Sequence, residues 1–166
     1  MSSTMKAKKT NRVLSVYPNQ WGVAFAIFDE PDLLVDYGVA YVQPADNNKA
    51  LQRVEKLIVL HAPDVIVTRA VTKDQTTVSL RVRKLVDMIA DLVKEEKLEL
   101  RQVSRSEVQE HFSNEGECSK YDISQMLIQR YPALAPCGFP VRKRWKAEHH
   151  YVGIFDAVAM INILYG

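Results

Sequence analysis

An α/β fold, with a mixed five-stranded sheet and helices on both faces, is predicted by three features of the sequence. Apolar residues make up 47% and charged residues 25% of the 166 residues, which is the balance of a globular protein. Three short apolar runs follow one another near the N-terminus. Beyond them, segments of helical periodicity alternate with two further apolar runs, which is typical of a meander joined to alternating helices and strands.

The first three strands are predicted over residues 13–17, 21–28 and 33–42, which are rich in β-branched and aromatic residues. A Tyr-Pro-Asn-Gln segment joins the first strand to the second, and the turn Asp-Glu-Pro-Asp at 29–32 joins the second to the third. Because both connections are short, the three strands should form an antiparallel meander.

The rest of the chain is predicted to alternate between helices and strands. Helical spacing of apolar residues marks most of the helices, and a capping box from Ser104 to Glu107 marks the start of another. The predicted helices cover 47–62, 76–97, a short segment from 104, 119–130 and 149–166, and the predicted strands cover 63–68 and 98–103. This order of elements is that of the ribonuclease H-like fold.

Domain organisation and location follow from composition. We predict a disordered basic tail over residues 1–12 and one domain over 13–166. No apolar run reaches the length of a membrane span or of a signal-peptide core, so a cytoplasmic protein without membrane association is expected. The two cysteines, Cys118 and Cys137, lack the spacing of a zinc site or a disulfide framework, and idle thiols are expected.

Four short motifs resemble those of the RuvC family of Holliday-junction resolvases, in the same order along the chain. SVYPN at 15–19 matches the frame of an Ile-Asp-Pro-Gly turn, and PDVIVTR at 63–69 matches a Pro-x-x-x-x-x-Glu strand. A Lys-x-x-Ile-x-x-Met helix is matched by Lys120, Ile123 and Met126. The last motif, Asp-Ala-x-Ala, begins at Asp156. The resemblance implies a ribonuclease H-like domain that acts on branched DNA.

The departures from the family pattern fall on its metal ligands. The resemblance implies four carboxylates that hold two divalent ions, but three of the four positions carry Tyr17, Arg69 and Gly153, and only Asp156 remains an acid. A fixed guanidinium is a poor neighbour for Mg²⁺. We therefore expect that Arg69 pairs with Asp156, that the centre is catalytically inactive and that no cofactor is bound.

Two histidines offer a weaker route to a metal site. Imidazole ligates metals, and His149 lies seven residues before Asp156, so both are predicted to share one face of the last helix. His150 is the second candidate. Mg²⁺ or Mn²⁺ bound through Asp156, with these histidines or Glu148, is expected only if the chain is an active nuclease.

A basic segment before the last helix is the best candidate for contact with nucleic acid. It contains Arg142, Lys143, Arg144, Trp145 and Lys146. Arginine and lysine neutralise phosphates, and a tryptophan ring offers a stacking face for a base. The alternative is a solvated basic loop. The resemblance adds Lys120, which stands where the family has a phosphate-contacting lysine.

Three functions remain open at this point. The favoured one is a RuvC-like protein that binds branched or structured DNA without cutting it. The second is an active metal-dependent Holliday-junction endonuclease with a rearranged site. The third is a protein-interaction module on the same scaffold, because fold does not fix function. The resemblance also implies a homodimer.

Overall fold

The structure is a computed structural model of the chain, and it describes residues 11–29, 32–113, 118–143 and 148–165. Residues 1–10 of the predicted basic tail lie outside these ranges. Arg12, which was assigned to the tail, is instead the first residue of the first strand, where its guanidinium pairs with Asp29 at 2.8 Å.

Five strands form one mixed sheet, as predicted. They are β1 (Arg12–Asn19), β2 (Gly22–Asp29), β3 (Leu33–Tyr41), β4 (Val65–Ala70) and β5 (Glu99–Ser104). The order across the sheet is β3-β2-β1-β4-β5. The first three strands pair antiparallel, whereas β4 and β5 run parallel to β1. The predicted meander and the two later strands are therefore confirmed.

The helices follow the predicted order, with one addition. They are α1 (Asn47–His61), α2 (Leu80–Glu95), α3 (Arg105–Phe112), α4 (Lys120–Arg130) and α5 (Val152–Tyr165). A 3-10 helix, Pro132–Cys137, separates α4 from the segment before α5. The capping box of Ser104 and Glu107 is present at the start of α3, as predicted.

Residues of β1 alternate between two hydrophobic cores. Leu14 and Val16 pack with α1 and α2 on one face of the sheet, and Val13 and Tyr17 pack with α4 and α5 on the other. This period of two is that of a strand covered on both sides. The prediction of helices on both faces is therefore confirmed.

Helix α5 is the centre of the second core. Every residue from Val152 to Asn162 is buried, which is the pattern of a helix surrounded by protein on all sides. Two polar side chains, Asp156 and Asn162, lie among these apolar ones. A carboxylate in such a place is costly unless it has a partner, so Asp156 requires a cation or hydrogen-bond donor nearby.

Two helix starts differ from the prediction. Helix α2 begins at Leu80 because the Ser79 side chain accepts a hydrogen bond from the Val82 amide and caps it there. Helix α5 begins at Val152, so His149 and His150 precede it. The prediction that His149 and Asp156 share a helix face is therefore wrong.

Both cysteines are free, as expected. Within the described ranges, no helix combines the length and the hydropathy needed to cross a membrane.

Candidate nucleic-acid cleft

The sheet brings three of the four family ligand positions together. Tyr17 and Arg69 directly follow Val16 and Thr68, which are paired across the parallel strands β1 and β4. Asp156 approaches from α5, and all three residues line one small cavity. The motifs identified in the sequence therefore converge on a single place in the fold.

The cation that pairs with Asp156 is Lys120. Its ammonium lies 3.2 Å from Asp156 Oδ2 and 3.0 Å from Glu148 Oε1. Burial lowers the pKa of Lys120, but Asp156, Tyr17 and Glu148 together raise it above its ordinary value. The ammonium is therefore charged at every physiological pH, and it bridges the two carboxylates.

Lys120 reaches this place because α4 begins at it. Ser119 caps the helix, since its side chain accepts a hydrogen bond from the Asp122 amide while the Asp122 carboxylate accepts one from the Ser119 amide. This reciprocal cap fixes where the first turn starts. The direction of the Lys120 side chain toward α5 follows from that start.

The predicted pairing of Arg69 with Asp156 is wrong. Arg69 Nη1 donates a hydrogen bond of 2.8 Å to the carbonyl of Pro18, and the guanidinium carbon lies 4.2 Å from the centre of the Tyr17 ring. A planar guanidinium stacks well on an aromatic face. Arg69 is therefore held by β1, and Lys120 is the residue that pairs with Asp156.

Tyr17 supplies a neutral ring rather than a charged ligand. It is only 8% exposed, and burial, followed by the neighbouring Asp156 carboxylate, raises the pKa of its hydroxyl. Its ring lies beneath two cations, because the Lys120 ammonium is 5.7 Å from the ring centre in addition to the stacked Arg69. The Tyr17 ring thus stabilises the neighbouring Arg69 and Lys120 cations, but it offers no carboxylate to a metal ion.

Gly153 has no room for a side chain. A Cβ atom built on it would lie 2.6 Å from Asn19 Nδ2 and 2.8 Å from the Cβ of Ala24. Asn19 is itself held, because its Oδ1 accepts a hydrogen bond of 2.9 Å from the Trp21 amide. At the position where the family has a carboxylate, helix α5 therefore packs directly on β1 and β2.

Two of these positions, Tyr17 and Arg69, open into a cleft of about 630 Å³, which we call the central cleft. Among the described residues, four cationic side chains and the Glu148 carboxylate line it, and the Asp156 carboxylate lies 3.2 Å from one of these cations, Lys120. The four are Arg69, Arg105, Lys120 and Arg142. Low-dielectric walls concentrate the field of such charges, so the cleft attracts anions although the net charge of the chain is only +2.

One wall of the central cleft is the loop that joins β4 to α2. Arg83 holds this loop by donating hydrogen bonds to the carbonyls of Thr72, at 3.3 Å, and of Gln75. The Thr72 amide in turn donates to Gln75 Oε1 at 3.1 Å. Thr72 stands where some family members have an aromatic residue, so this wall carries no ring at that point.

The donor set does not fit Mg²⁺ or Mn²⁺. Divalent ions of this kind need carboxylate oxygens that are free to coordinate, whereas Asp156 and Glu148 are both engaged by the Lys120 ammonium. Across the described part of the chain, no group of three or more histidine, cysteine or acidic side chains could hold a metal ion.

The two histidines lie in an aromatic cluster beside the cleft. His149 Nδ1 accepts a hydrogen bond of 3.1 Å from the Tyr151 amide, and its ring stacks on that of His150 with centres 4.5 Å apart. His150 Nδ1 is hydrogen-bonded to the Tyr41 hydroxyl. Burial and the adjacent His150 lower the pKa of His149. These contacts fix both rings to other partners, so the alternative metal site finds no support in the geometry.

The predicted DNA-contacting residues divide into two groups. Lys120 and Arg142 line the central cleft, and Lys143 lies at a smaller pocket beside it. Arg144, Trp145 and Lys146 lie outside the described residues.

Trp21 and Arg105 also line the cleft, although they were not singled out in the sequence. Arg105 directly follows β5, which runs parallel to β4, and the carboxyl ends of parallel strands commonly carry site residues. That rule would have found it. Trp21 lies in the turn between β1 and β2, and only its closeness to Tyr17 in sequence could have suggested it.

No protein-family model matches the sequence, and no curated protein matches it either. Among solved structures, the chain is similar to Thermus thermophilus RuvC in complex with a Holliday junction substrate, with a TM-score of 0.65, 10% identity and 92% of each chain covered. Thermus thermophilus RuvC also matches in another structure, with a TM-score of 0.62, 11% identity and the same coverage.

The yeast mitochondrial Holliday junction resolvase Ydc2 is a third similar structure. Its TM-score is 0.63 and its identity 15%, and the match covers 94% of this chain and 78% of that one. Agreement over nearly the whole chain, together with the strand order and the convergence of Tyr17, Arg69 and Asp156, establishes the architecture. The chain has the RuvC-type ribonuclease H-like fold.

Proposed function

We propose that this protein binds nucleic acid, with branched DNA preferred, and does not cut it by metal-dependent chemistry. The observation that carries the proposal is the Lys120 ammonium, which bridges Asp156 and Glu148 in the place where carboxylates would otherwise be free for metal. The Lys120 ammonium therefore takes the place that a metal ion from solution would occupy.

The charge of the central cleft supports phosphate binding. In a metal-dependent nuclease, divalent ions bridge the protein carboxylates and the phosphodiester. Here Arg69, Arg105 and Arg142 line the cleft themselves, so they meet a phosphate without an intervening ion. Arginine donates in a fixed fork that matches phosphate oxygens, and such charge-assisted hydrogen bonds are the strong ones.

Branched DNA is favoured because of the structures that the chain is similar to. One of them is RuvC in complex with a Holliday junction substrate, and another is the Holliday junction resolvase Ydc2. A homodimer and a cytoplasmic location accompany the proposal as predictions. Light scattering on the eluting peak of a size-exclusion column would test the dimer.

Binding and cleavage are tested together with a labelled four-way junction and a linear duplex of the same sequence. We expect fluorescence anisotropy to show preference for the junction in EDTA, with little change when Mg²⁺ is added. We also expect no cleavage products in Mg²⁺ or Mn²⁺. Mn²⁺-dependent cleavage that disappears in Asp156→Asn would establish the active endonuclease instead.

The role of the cleft is tested with a matched pair of variants. Arg69→Gln removes a cleft cation, whereas Arg53→Gln removes an exposed cation from α1, which packs on the opposite face of the sheet. The first change should weaken junction binding by about 10-fold, since a charge-assisted contact is lost. The second should leave binding unchanged. A folded wild-type protein that binds no nucleic acid would favour the protein-interaction module.

A further inference from the structure

A second pocket adjoins the central cleft and differs from it in chemistry. It has a volume of about 380 Å³, and most of its walls are apolar or aromatic. The wall residues are Tyr121 of α4, Phe139, Pro140 and Val141 of the segment after the 3-10 helix, His149, and Val152 of α5. We call it the aromatic pocket. Its volume is near the lower end of the range for small-ligand sites, which is roughly 300–1,000 Å³.

Packing fixes the rings of the aromatic pocket. Phe139 is 7% exposed, and it contacts Tyr121 edge-to-face with ring centres 6.3 Å apart. On its other side, the Phe155 ring lies 5.5 Å away, also edge-to-face. His149 lies nearly parallel to Phe139, with an angle of 17° between the ring planes. These ring contacts hold the aromatic walls against one another.

The mouth of the aromatic pocket is polar and is shared with the central cleft. Lys120, Arg142 and Glu148 line both cavities, whereas Lys143 lines only the aromatic pocket. A phosphate held by the cleft cations would therefore lie next to an opening into an apolar, aromatic space. Glu148 adds a carboxylate that accepts hydrogen bonds at this opening.

We propose that the aromatic pocket receives one unpaired nucleobase of a nucleic acid whose backbone lies in the central cleft. The inference rests on the proposed function and specifies which part of the ligand enters the second site. Cationic groups beside an aromatic pocket match a nucleotide, which carries its anionic phosphate next to a flat aromatic base. Every base has a π-face that stacks on aromatic side chains, so the pocket would accept an unpaired base of any sequence.

At about 380 Å³, the pocket has room for a single base but not for a duplex. A paired base is stacked within its helix and cannot leave it without the cost of unpairing, which is smallest for a base that is already unpaired. Branch points and bulges supply such bases. The pocket would thus favour distorted nucleic acid over a regular duplex, in addition to the attraction of phosphates by the cleft.

The first test compares three labelled DNAs of the same sequence: a regular duplex, a duplex with one unpaired base, and the same bulge with that base removed to leave an abasic site. We expect the bulge with its base to bind roughly 5-fold or more tightly than the abasic bulge, from the usual strength of base–aromatic stacking. Equal affinity for the two bulges would overturn the inference and leave the proposed function intact.

Variants of the protein test whether the aromatic pocket causes the preference for the bulge with its base. Tyr121→Leu should remove the preference for the bulge with its base, whereas Tyr121→Phe, which keeps the ring, should preserve it. Met126→Ala is the control, because Met126 lies on the same helix, is exposed and does not line the pocket. A preference that survives Tyr121→Leu in a folded protein would also contradict the inference.

A second measurement needs no substitution in the protein. The unpaired base is replaced by 5-iodouracil, the complex is irradiated, and the cross-linked peptide is identified by mass spectrometry. Cross-links to Tyr121, Phe139 or His149 are expected, and cross-links confined to other residues would overturn the inference. If neither the bulge nor a four-way junction binds at physiological salt, the proposed function fails as well, so the two failures are distinguishable.

Discussion

At the scale of single residues, one lysine stabilises a buried acid that the sequence left without an evident partner. Asp156 is 7% exposed, and the ammonium of Lys120 compensates its charge while also meeting Glu148. Breaking such a pair from one side is costlier than removing both members, because the remaining charge stays buried. This asymmetry makes the role of Lys120 testable.

Lys120→Met should lower the free energy of unfolding by about 3 kcal/mol, the lower end of the usual cost, because it leaves Asp156 buried without a cation. Urea denaturation followed by circular dichroism measures this change. Adding Asp156→Asn to the same chain should recover part of the loss. Lys84→Met, on an exposed position of α2, is the control and should change stability little. A double variant no more stable than the single one would contradict the pairing.

His149 makes stability depend on pH near neutrality. Burial holds the pKa of its imidazole below the ordinary value of about 6.5, so the unfolded chain binds a proton more readily than the folded one. Its contribution is therefore present above pH 6.5 and is lost as the pH falls through the folded pKa.

We expect the midpoint of urea unfolding to decrease between pH 7 and pH 5, and His149→Gln to reduce that decrease. Unfolding curves of both proteins across this interval measure the effect. An identical slope in the variant would show that other groups cause it.

At the scale of the elements, Gly153 sets how closely α5 packs on β1 and β2. Gly153→Asp should lower the free energy of unfolding by roughly 1–3 kcal/mol, the usual cost of overpacking, because the added atoms meet Asn19 and Ala24. It should not create Mg²⁺ binding, which isothermal titration calorimetry would check.

Gly138→Ala is the matched control for Gly153→Ala. The added Cβ at Gly138 would lie no closer than 3.3 Å to its neighbours, compared with 2.6 Å at Gly153. Thermal unfolding of the two alanine variants should show the larger loss at 153. Equal losses would mean that the contact with Asn19 and Ala24 relaxes freely.

The sequence predicts the elements well because their signals are local. Strand period, helix period and the caps at Ser104 and Ser119 all lie within a few residues of the elements that they define. The start of α2 was predicted too early, although Ser79 carries the capping signal. The 3-10 helix was missed because Pro132 stops α4 without indicating the conformation of the residues after it.

The pairing within the site was not predictable in the same way. The sequence shows that Tyr17, Arg69 and Asp156 occupy matching positions, but the choice between Arg69 and Lys120 depends on tertiary geometry. The Pro18 carbonyl and the Tyr17 ring hold the guanidinium, and only the packing of α4 against α5 brings Lys120 within reach. The spacing of residues in the sequence does not indicate which of two cations pairs with a given acid.

At the scale of the whole molecule, positive charge is concentrated rather than abundant. The chain carries 22 basic and 20 acidic residues, yet the described lining of the central cleft has four cations and one carboxylate, with Asp156 next to Lys120. A protein of this kind should bind nucleic acid through a few phosphates at one place. Binding by its general surface should be weak, because the remaining charges nearly balance.

The salt dependence of binding should report the number of these contacts. If two to four phosphates are neutralised, a plot of log affinity against log salt concentration has a slope of about −2 to −4. Arg69→Gln should make the slope shallower by about one. Anisotropy titrations of the four-way junction at several salt concentrations measure both values. A slope near zero would argue against phosphate contacts in the cleft.

The contact of Gly153 with Asn19 and Ala24 also bears on how this scaffold could change over generations. A carboxylate at 153 would meet both Asn19 and Ala24, so a substitution that installs it alone should also destabilise the fold. A complete set of the family carboxylates would need changes at Tyr17, Arg69 and Gly153 together, and the change at Gly153 carries that cost. Packing at this glycine is therefore a barrier in sequence space between this chain and one that carries all four family acids.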